Sequence, residues 1–307
     1  MSVPEQILRF FNPRPSGPVT DRRLTASAAR QPPSAAVLDT DARAQTDLAT
    51  DLLPAIRLEQ FVLHYQPQID LRSGDVLSIE SLLRWNRPGV GLVMPNEFMP
   101  LAEQRDLARA ITDWEIGAAA EQAAAWDRAG LPPFGIAINV PAAQLHGEGF
   151  IDRLTQQLRR KQFAANRIEL ELTEDAIMRD NDAAIDVLDR LHALGVALSI
   201  DDFGSGYSSL SDLCRLPIDE IKIAPTFVAT MGRDERAAGM VRGIIELAHS
   251  LKLHVIADGV ETSDQLKRLM DLRCDRAQGA LISRPLPAAQ LPRFLDEWPR
   301  RWATVNG

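Results

Sequence analysis

Hydrophobic positions along most of the chain follow two alternating patterns, one typical of strands and one typical of helices. The strand-like stretches are rich in β-branched and aromatic residues, and they fall at residues 61–65, 76–83, 135–140, 168–172, 197–200, 220–223, 254–257 and 280–283. Eight strands that alternate with helices over roughly 240 residues predict an α/β protein with a TIM-type (β/α)8 barrel. A doubly wound open sheet is the alternative, and it ranks lower because no glycine fingerprint follows the first strand.

Two of the stretches between the strands carry a clear helical period. Asp182 can cap a helix in which Ile185, Leu188 and Leu191 recur, and Gly195 supplies its stop. A second helix repeats apolar residues on one face, at Val241, Ile244, Ile245, Ala248 and Leu251. These patterns predict helices between consecutive strands of the barrel.

The beginning of the chain has a different composition. The first fifty residues hold six prolines and six arginines but no Trp or Tyr. Such a segment cannot bury enough apolar surface to offset its ordering entropy. We therefore predict a disordered tail at residues 1–52, a barrel domain at 53–300 and a short C-terminal tail at 301–307. A short docking helix at residues 7–11, or a protein partner bound through the tail, is the alternative for the first segment.

Charge and cysteine content narrow the classes of function. The formal net charge is −8, and general nucleic-acid binders carry a basic footprint, so we expect no DNA or RNA binding. No run of apolar residues reaches the length of a membrane span. Cys214 and Cys274 lie far apart without metal-ligand spacing, which predicts two reduced thiols in a cytoplasmic protein.

Polar residues stand at the ends of the apolar strands. They are Glu80, Asn139, Glu171, Asp201, Asp202, Lys222 and Asp258. Strand ends of a β/α barrel converge on one mouth, where several carboxylates would repel one another unless cations neutralised them. Hard divalent ions take oxygen ligands, and two of them can hold a phosphodiester for attack by water. A single such residue is more often a helix cap or a salt-bridge partner, as we expect for Glu169, but the set occupies six strands.

Several longer motifs resemble the EAL-domain family of cyclic di-GMP phosphodiesterases, in order over about four-fifths of the chain. They are Tyr65-Gln66-Pro67-Gln68, Glu80-Ser81-Leu82-Leu83-Arg84-Trp85, Glu171-Leu172-Thr173-Glu174, the stretch from Asp201 to Leu210, Gln278-Gly279 and Ser283-Arg284-Pro285-Leu286. The resemblance implies a TIM-type barrel that hydrolyses cyclic di-GMP to linear pGpG with two Mg²⁺ or Mn²⁺ ions. It also implies a homodimer.

The resemblance also implies roles for individual residues. Glu80, Asn139, Glu171 and Asp201 would ligate the metals, with Asp202 completing the second site. Lys222 would orient the nucleophilic water, Gln278 would lie near it, and Asp258 would belong to the catalytic set. Gln66, Leu82, Arg84, Asp202 and Pro285 would contact the dinucleotide, with Arg84 pairing to a phosphate. Glu174 would hold the loop that links the site to a dimer interface.

Two departures from the family pattern keep three hypotheses open. The family's Ala-Glu-Gly-Val-Glu reads Ala257-Asp258-Gly259-Val260-Glu261 here, and its Lys-Ile-Asp reads Lys222-Ile223-Ala224. The shorter carboxylate withdraws by roughly 1.5 Å, and a displacement of about 1 Å can cost a hundredfold in rate. The hypotheses are a phosphodiesterase with reduced turnover, a receptor that binds cyclic di-GMP without cleaving it, and a protein-interaction module.

Overall fold

A computed structural model of the chain describes residues 50–305 except 53, 105, 146, 148, 175–176, 178–180 and 207–209. The predicted tail at residues 1–52 lies outside this range apart from residues 50–52, which are helical. Leu52 is fully buried in the core. No described helix is both long and apolar enough to cross a membrane. Cys214 is exposed and Cys274 is buried, and both are free thiols.

The strands form one sheet that closes on itself. In chain order they are β1 Phe61–Asp70, β2 Val76–Arg87, β3 Gly91–Val93, β4 Gly135–Asn139, β5 Ile168–Thr173, β6 Ala197–Phe203, β7 Glu220–Ile223, β8 His254–Ala257, β9 Arg276–Ala277 and β10 Leu286–Pro287. The barrel runs β1-β9-β8-β7-β6-β5-β4-β2 and returns to β1, with β3 and β10 as short additions. Closure of eight strands confirms the predicted barrel and excludes the open sheet.

The first strand departs from the parallel arrangement. β1 pairs antiparallel with both β2 and β9, whereas the neighbours from β2 through β9 are parallel. Residues 71–75 connect β1 to β2, and a parallel crossover needs a dozen residues or more. Asp70 Oδ1 accepts hydrogen bonds from the backbone of Arg72 and Ser73, and Gly74 has a φ of +81°. The short turn therefore forces a hairpin.

The position of the eighth predicted strand is wrong. Residues 280–283 form a turn, and the eighth strand of the barrel is β9. Gly279 has a φ of +152° and lies so close to the backbone of Val260 that a Cβ would collide with it. The amides of Ile282 and Ser283 both donate to the Gly279 carbonyl. The apolar run reflects Ile282 entering the core rather than strand pairing.

Helices surround the barrel. They are α1 Pro95–Gln104, α2 Ala108–Arg128, α3 Ala142–Leu145, α4 Phe150–Lys161, α5 Asn181–Ala193, α6 Leu210–Leu213, α7 Pro225–Thr230, α8 Glu235–Ser250, α9 Ser263–Asp271 and α10 Leu291–Val305. Helix α5 contains the predicted stripe and is followed by Gly195 at a φ of +84°, while the Asp182 side chain lies outside the described residues. Four residues of the predicted stripe of α8 are buried, whereas Leu251 is half-buried just past the end of the helix. Helix α10 extends five residues past the predicted boundary at residue 300.

The two faces of β1 and β2 differ in chemistry. Outward side chains form an aromatic cluster with the helices: the Phe61 ring centroid lies 5.7 Å from Phe98 and 5.8 Å from Trp114, and Tyr65 lies 4.7 Å from Trp126. Inward positions are polar, and residue 66 of β1 stands opposite Glu80 of β2. The sheet is thus held to its helices by apolar burial, while its interior presents functional groups.

Candidate active site

The Lys222 ammonium lies at the centre of a group of carboxylates inside the barrel. Its Nζ is 2.7 Å from Glu171 Oε2, 3.3 Å from Glu80 Oε2 and 3.4 Å from Asp201 Oδ1. The Lys222 side chain is 1% exposed, so it is a buried counter-ion and not a solvated surface lysine. The four side chains come from β2, β5, β6 and β7. Each stands at an inward-facing position, and the strand register places them at a similar level along the barrel axis.

Amide side chains fix the orientation of Glu80. Asn139 Nδ2 donates to Glu80 Oε1 at 2.7 Å, and Gln278 Nε2 donates to Glu80 Oε2 at 2.5 Å. The same Gln278 nitrogen lies 3.0 Å from Gln66 Oε1, and Gln66 Nε2 donates to the Ser283 carbonyl at 2.9 Å. The network joins β1, β2, β4 and the turn after β9 around one carboxylate.

The two buried glutamates respond oppositely to this environment. Burial raises the pKa of Glu80, but Lys222 and hydrogen bonds from Gln278 and Asn139 outweigh it and lower the pKa overall. Burial, together with the Glu80 and Asp201 charges, raises the pKa of Glu171 well above its ordinary value despite Lys222. Burial alone would lower the pKa of Lys222, yet the surrounding carboxylates raise it well above its usual range. Lys222 is therefore charged at neutral pH.

The donor set fits a hard divalent cation in its chemistry. The side chains at the mouth offer carboxylate and amide oxygens, which Mg²⁺ and Mn²⁺ prefer. Two buried amide oxygens, Gln68 Oε1 and Gln278 Oε1, accept no hydrogen bond from a described residue. Within the described part of the chain, no three His, Cys, Asp or Glu side chains converge closely enough to hold a metal ion. The nearest carboxylates point instead at the Lys222 ammonium, which neutralises them.

The two aspartates at the end of β6 face different surroundings. The register between β6 and β7 shifts between Ile200 and Phe203, and Asp202 has a φ of +54°, a left-handed conformation that Asp tolerates better than most residues. Asp201 contacts Lys222, whereas Asp202 is exposed at the mouth. Partial burial and the neighbouring Asp201 charge raise the pKa of Asp202.

The two departures from the family pattern, Ala224 and Asp258, each follow one of the paired residues Ile223 and Ala257 of β7 and β8. Asp258 Oδ1 accepts a hydrogen bond from the Gly259 amide at 2.6 Å, so its carboxylate turns back onto its own backbone. Burial, with the Glu80 and Asp201 charges, raises the pKa of Asp258 to about 6 although Lys222 opposes the shift. Ala224 is the N-cap residue of α7 and provides no side-chain cap. An Asp at that position could cap the helix as well as add a charge.

Glu174 lies against the loop that follows β6. Its Oε2 accepts hydrogen bonds from the amides of Gly204 and Gly206, both at 3.2 Å. A Cβ at Gly206 would come within 2.9 Å of the Glu174 carboxyl carbon, so the contact requires glycine there. Tyr207 and the next two residues lie outside the described part. The role of Glu174 at a dimer interface stays a prediction.

The predicted substrate contacts surround the same mouth. Arg84 is 7% exposed and its Nη1 donates to the Leu83 carbonyl at 2.7 Å, so its guanidinium is turned inward. Leu82 and Pro285 are partly buried. Residues 82 and 84 continue β2 beyond Glu80, and Pro285 directly precedes β10. All three therefore belong to strands or turns at the same end of the barrel as Glu80. Their contact with a dinucleotide stays a prediction.

Two buried polar residues near the site, Gln68 and Glu115, were given no role from the sequence. Gln68 is fully buried and its Nε2 donates to Glu171 Oε1 at 3.3 Å. Two-residue periodicity places it on the same strand face as Gln66, which is the signal that could have found it. Glu115 of α2 is 5% exposed, and burial together with Glu80 raises its pKa to about 8 although Arg84 opposes the shift. It lies between apolar Ile111 and Ala119, each four residues away.

A closed β/α barrel that gathers buried carboxylates and a lysine at its strand ends is typical of enzymes whose active site lies at the barrel mouth. The family model described as "EAL domain" matches residues 49–285. The chain therefore belongs to the EAL-domain family.

Relatives from Pseudomonas aeruginosa and a solved structure extend this assignment. The chain is 40% identical over 254 residues to the bifunctional diguanylate cyclase/cyclic di-GMP phosphodiesterase MucR, covering 83% of this chain and 37% of MucR. It is 40% identical over 251 residues to the cyclic di-GMP phosphodiesterase NbdA, covering 82% of this chain and 32% of NbdA. The chain thus spans about a third of the length of these curated relatives. A solved structure described as "PaMucR Phosphodiesterase, c-di-GMP complex" matches with a TM-score of 0.77 and 41% identity, covering 80% of this chain and 99% of that one.

Proposed function

We propose that this chain is a phosphodiesterase that hydrolyses cyclic di-GMP to linear pGpG with two Mg²⁺ or Mn²⁺ ions. The observation that carries the proposal is the Lys222 group, in which three carboxylates from three strands come within 3.4 Å of one buried ammonium. The names of the relatives and the bound ligand of the 41%-identical structure support the substrate.

The metal sites follow from the donor set. Glu80, Asn139, Glu171 and Asp201 would hold the first ion, and Asp202 at the exposed end of β6 would complete the second. When bound, such ions neutralise the phosphodiester charge and make water a stronger acid. The Oε1 atom of Gln278, which has no donor within the described part of the chain, would accept a hydrogen bond from the attacking water.

The protein side chains would orient the water, stabilise the transition state, accept a proton and bind the dinucleotide. Water attacks phosphorus in line with the 3′ oxygen, the bond to that oxygen breaks, the departing 3′ oxygen takes up a proton to become a hydroxyl, and the product keeps a 5′ phosphate. Lys222 keeps its proton, so it orients the water and stabilises negative charge on the phosphorane instead of acting as a base. The Asp258 carboxylate, which lies near Lys222, would accept a proton from the attacking water. Arg84 would turn outward to a phosphate, with Gln66, Leu82 and Pro285 along the dinucleotide.

Product formation tests the proposal directly. Purified protein is incubated with cyclic di-GMP and Mn²⁺ or Mg²⁺, and pGpG is followed by chromatography. Metal-dependent product that is lost in Glu80→Gln but kept in Glu297→Gln supports hydrolysis at this site, because Glu297 is an exposed residue of α10 paired only with Arg293 among the described residues. Equal rates for Glu80→Gln and the parent would remove the proposal.

One observation favours a second candidate, a receptor that binds cyclic di-GMP without cleaving it. The Asp258 carboxylate is turned onto Gly259, and Ala224 removes an acidic group beside Lys222. Calorimetry would then detect cyclic di-GMP binding by protein that releases no pGpG. If cyclic di-GMP did not bind with or without metal, the receptor candidate would be eliminated. The protein-interaction module would then be the remaining hypothesis.

Assembly forms the last part of the proposal. Glu174 holds the loop after β6 through two backbone amides, and this loop would connect the site to a homodimer interface. Light scattering on the purified protein measures the mass directly. A Glu174→Ala variant should dissociate more readily than the parent, whereas a monomeric parent would contradict the proposal.

A further inference from the structure

A cavity of about 360 Å³ lies at the end of the barrel opposite to the Lys222 group. Its lining comes from the first residues of the parallel strands, among them Ser78, Glu169, Glu220 and Arg276, whereas the active-site residues stand at the strand ends. The volume falls within the range of small-molecule sites, roughly 300–1,000 Å³. We call this space the basal cavity.

Most charges around the basal cavity are already paired. Arg276 Nη1 lies 2.8 Å from Glu220 Oε2, and Arg167 Nη1 lies 2.6 Å from Asp127 Oδ2. Asp219 accepts a hydrogen bond from the Leu198 amide at 2.9 Å. Glu169 is 6% exposed and has no ion pair with a described Lys or Arg side chain. Its carboxyl group lies close to that of Glu220, so two buried carboxyl groups face the Arg276 guanidinium in the cavity wall.

Acceptor atoms in the same wall also lack donors. Glu169 Oε1, Glu220 Oε1 and Ser78 Oγ are buried and have no hydrogen-bond partner among the described residues. The residues that carry them are at most 6% exposed. A buried acceptor without a donor costs roughly 1–3 kcal/mol, so a ligand that donates several hydrogen bonds and carries a positive charge would be favoured here. An ammonium group has three donors and one charge.

The remaining lining argues for an organic cation instead of a bare metal ion. Leu77, Pro133, Phe134 and Leu198 add apolar surface to the cavity. The volume is much larger than one ion needs, and the described residues hold no converging group of three metal-ligating side chains. An aliphatic chain would cover the apolar part while its ammonium reaches the acceptors.

We propose that the basal cavity binds a small aliphatic ammonium compound, with its –NH₃⁺ group between Glu169, Glu220 and Ser78. This site is separate from the Lys222 group and does not depend on hydrolysis of any substrate. Glu169, which the sequence favours as a cap or a salt-bridge partner, would be its principal anion.

Calorimetry with 1,4-diaminobutane tests the proposal, with n-butanol as the uncharged control. We expect saturable binding of the diamine, weakened at least about tenfold in Glu169→Gln, which corresponds to 1.4 kcal/mol, and less in Ser78→Ala. Glu80→Gln should leave the affinity unchanged, because Glu80 belongs to the other end of the barrel. Thermal melting of each variant first establishes that it is folded, and Ser78→Ala keeps the test valid if Glu169→Gln does not fold.

Four results would overturn the inference. They are no saturable binding by the parent at about 10 mM diamine, unchanged affinity in both cavity variants, equal binding of n-butanol, and loss of binding in Glu80→Gln alone. The last result would place the diamine at the mouth among the metal-ligating carboxylates.

Discussion

Replacing Lys222 by Met should destabilise the metal-free protein more than any single change in the carboxylates around it. Methionine fills a similar volume but removes the Lys222 ammonium, which lies within 3.4 Å of Glu80, Glu171 and Asp201. Two of these carboxylates are themselves buried, at 4% and 1% exposure. The change therefore leaves uncompensated negative charge inside the barrel and does not simply lose an attraction.

The magnitude follows from measured buried pairs. Removing one partner of a buried ion pair costs about 3–5 kcal/mol. For a domain of 150–250 residues, 1 kcal/mol corresponds to roughly 2–4 °C in melting temperature, so we expect a decrease of roughly 6–20 °C.

The pKa of Glu171 is already raised by burial, and it rises further without Lys222. A carboxyl with a raised pKa in the folded state favours folding most below its unfolded pKa, and this contribution is lost as pH rises. The difference between variant and parent should therefore widen above the ordinary glutamate pKa of about 4.3.

Thermal and urea unfolding in EDTA, followed across pH, measure this effect. Lys267→Met is the matched control, because Lys267 is exposed on α9 and should tolerate the same change. Excess Mn²⁺ should recover part of the lost stability, since a cation at the carboxylates replaces the missing charge. A Lys222→Met variant that melts with the parent at neutral pH in EDTA would refute the assignment of Lys222 as the counter-ion.

Four further predictions address the remaining features. Ala224→Asp combined with Asp258→Glu should raise turnover by up to roughly a hundredfold, whereas Ala224→Ser, which can cap α7 without a charge, should stabilise the helix by about 0.5–2 kcal/mol and leave turnover unchanged. Gln68→Leu should weaken Mn²⁺ binding about 10–100-fold in a metal titration, because it removes the hydrogen bond that orients a metal-ligating glutamate. A pKa of about 8 for Glu115 predicts that the parent loses unfolding free energy on the order of 4 kcal/mol between pH 5 and pH 9. Glu115→Gln should remove most of this loss, and an unchanged pH profile of unfolding would contradict the prediction. Deleting residues 1–49 should leave the melting temperature unchanged, and a large decrease would show that this segment contributes to the fold.

The architecture was predictable because each parallel strand carries a local pattern that its neighbours repeat. The central strands β7 and β8 begin and end at the predicted residues, because their Ile and Val side chains are buried against the helices. The eighth strand was misplaced because its two residues, Arg276 and Ala277, are too few to form a period. The turn that follows has the apolar composition of a strand. Its conformation is decided by the close approach of Gly279 to Val260, which a local pattern does not contain.

The residue types of the active site were predictable, but their pairing was not. A polar residue after an apolar strand indicates a position at the mouth, and that rule found Glu80, Glu171 and Lys222. Contact between Lys222 and Glu80 joins residues 142 positions apart, so only the closed barrel brings them together. Glu115 was hidden for a different reason: it stands in an alanine-rich helix whose other buried residues are apolar or glycine, apart from Thr112.

The polar interior of this barrel argues that its buried charges are retained for chemistry more than for stability. Buried ion pairs can often be replaced by well-packed apolar residues at no cost or with a gain of 1–4 kcal/mol. The apolar cluster around Trp85 and Phe98 lies between the sheet and its helices, so it can hold the barrel together without help from the inside. The side chains inside the barrel are therefore not required for apolar packing. Amides and carboxylates can occupy these positions, although they would destabilise a barrel that depended on an apolar interior. Glu171, whose pKa is raised by burial, is the clearest example of such a group.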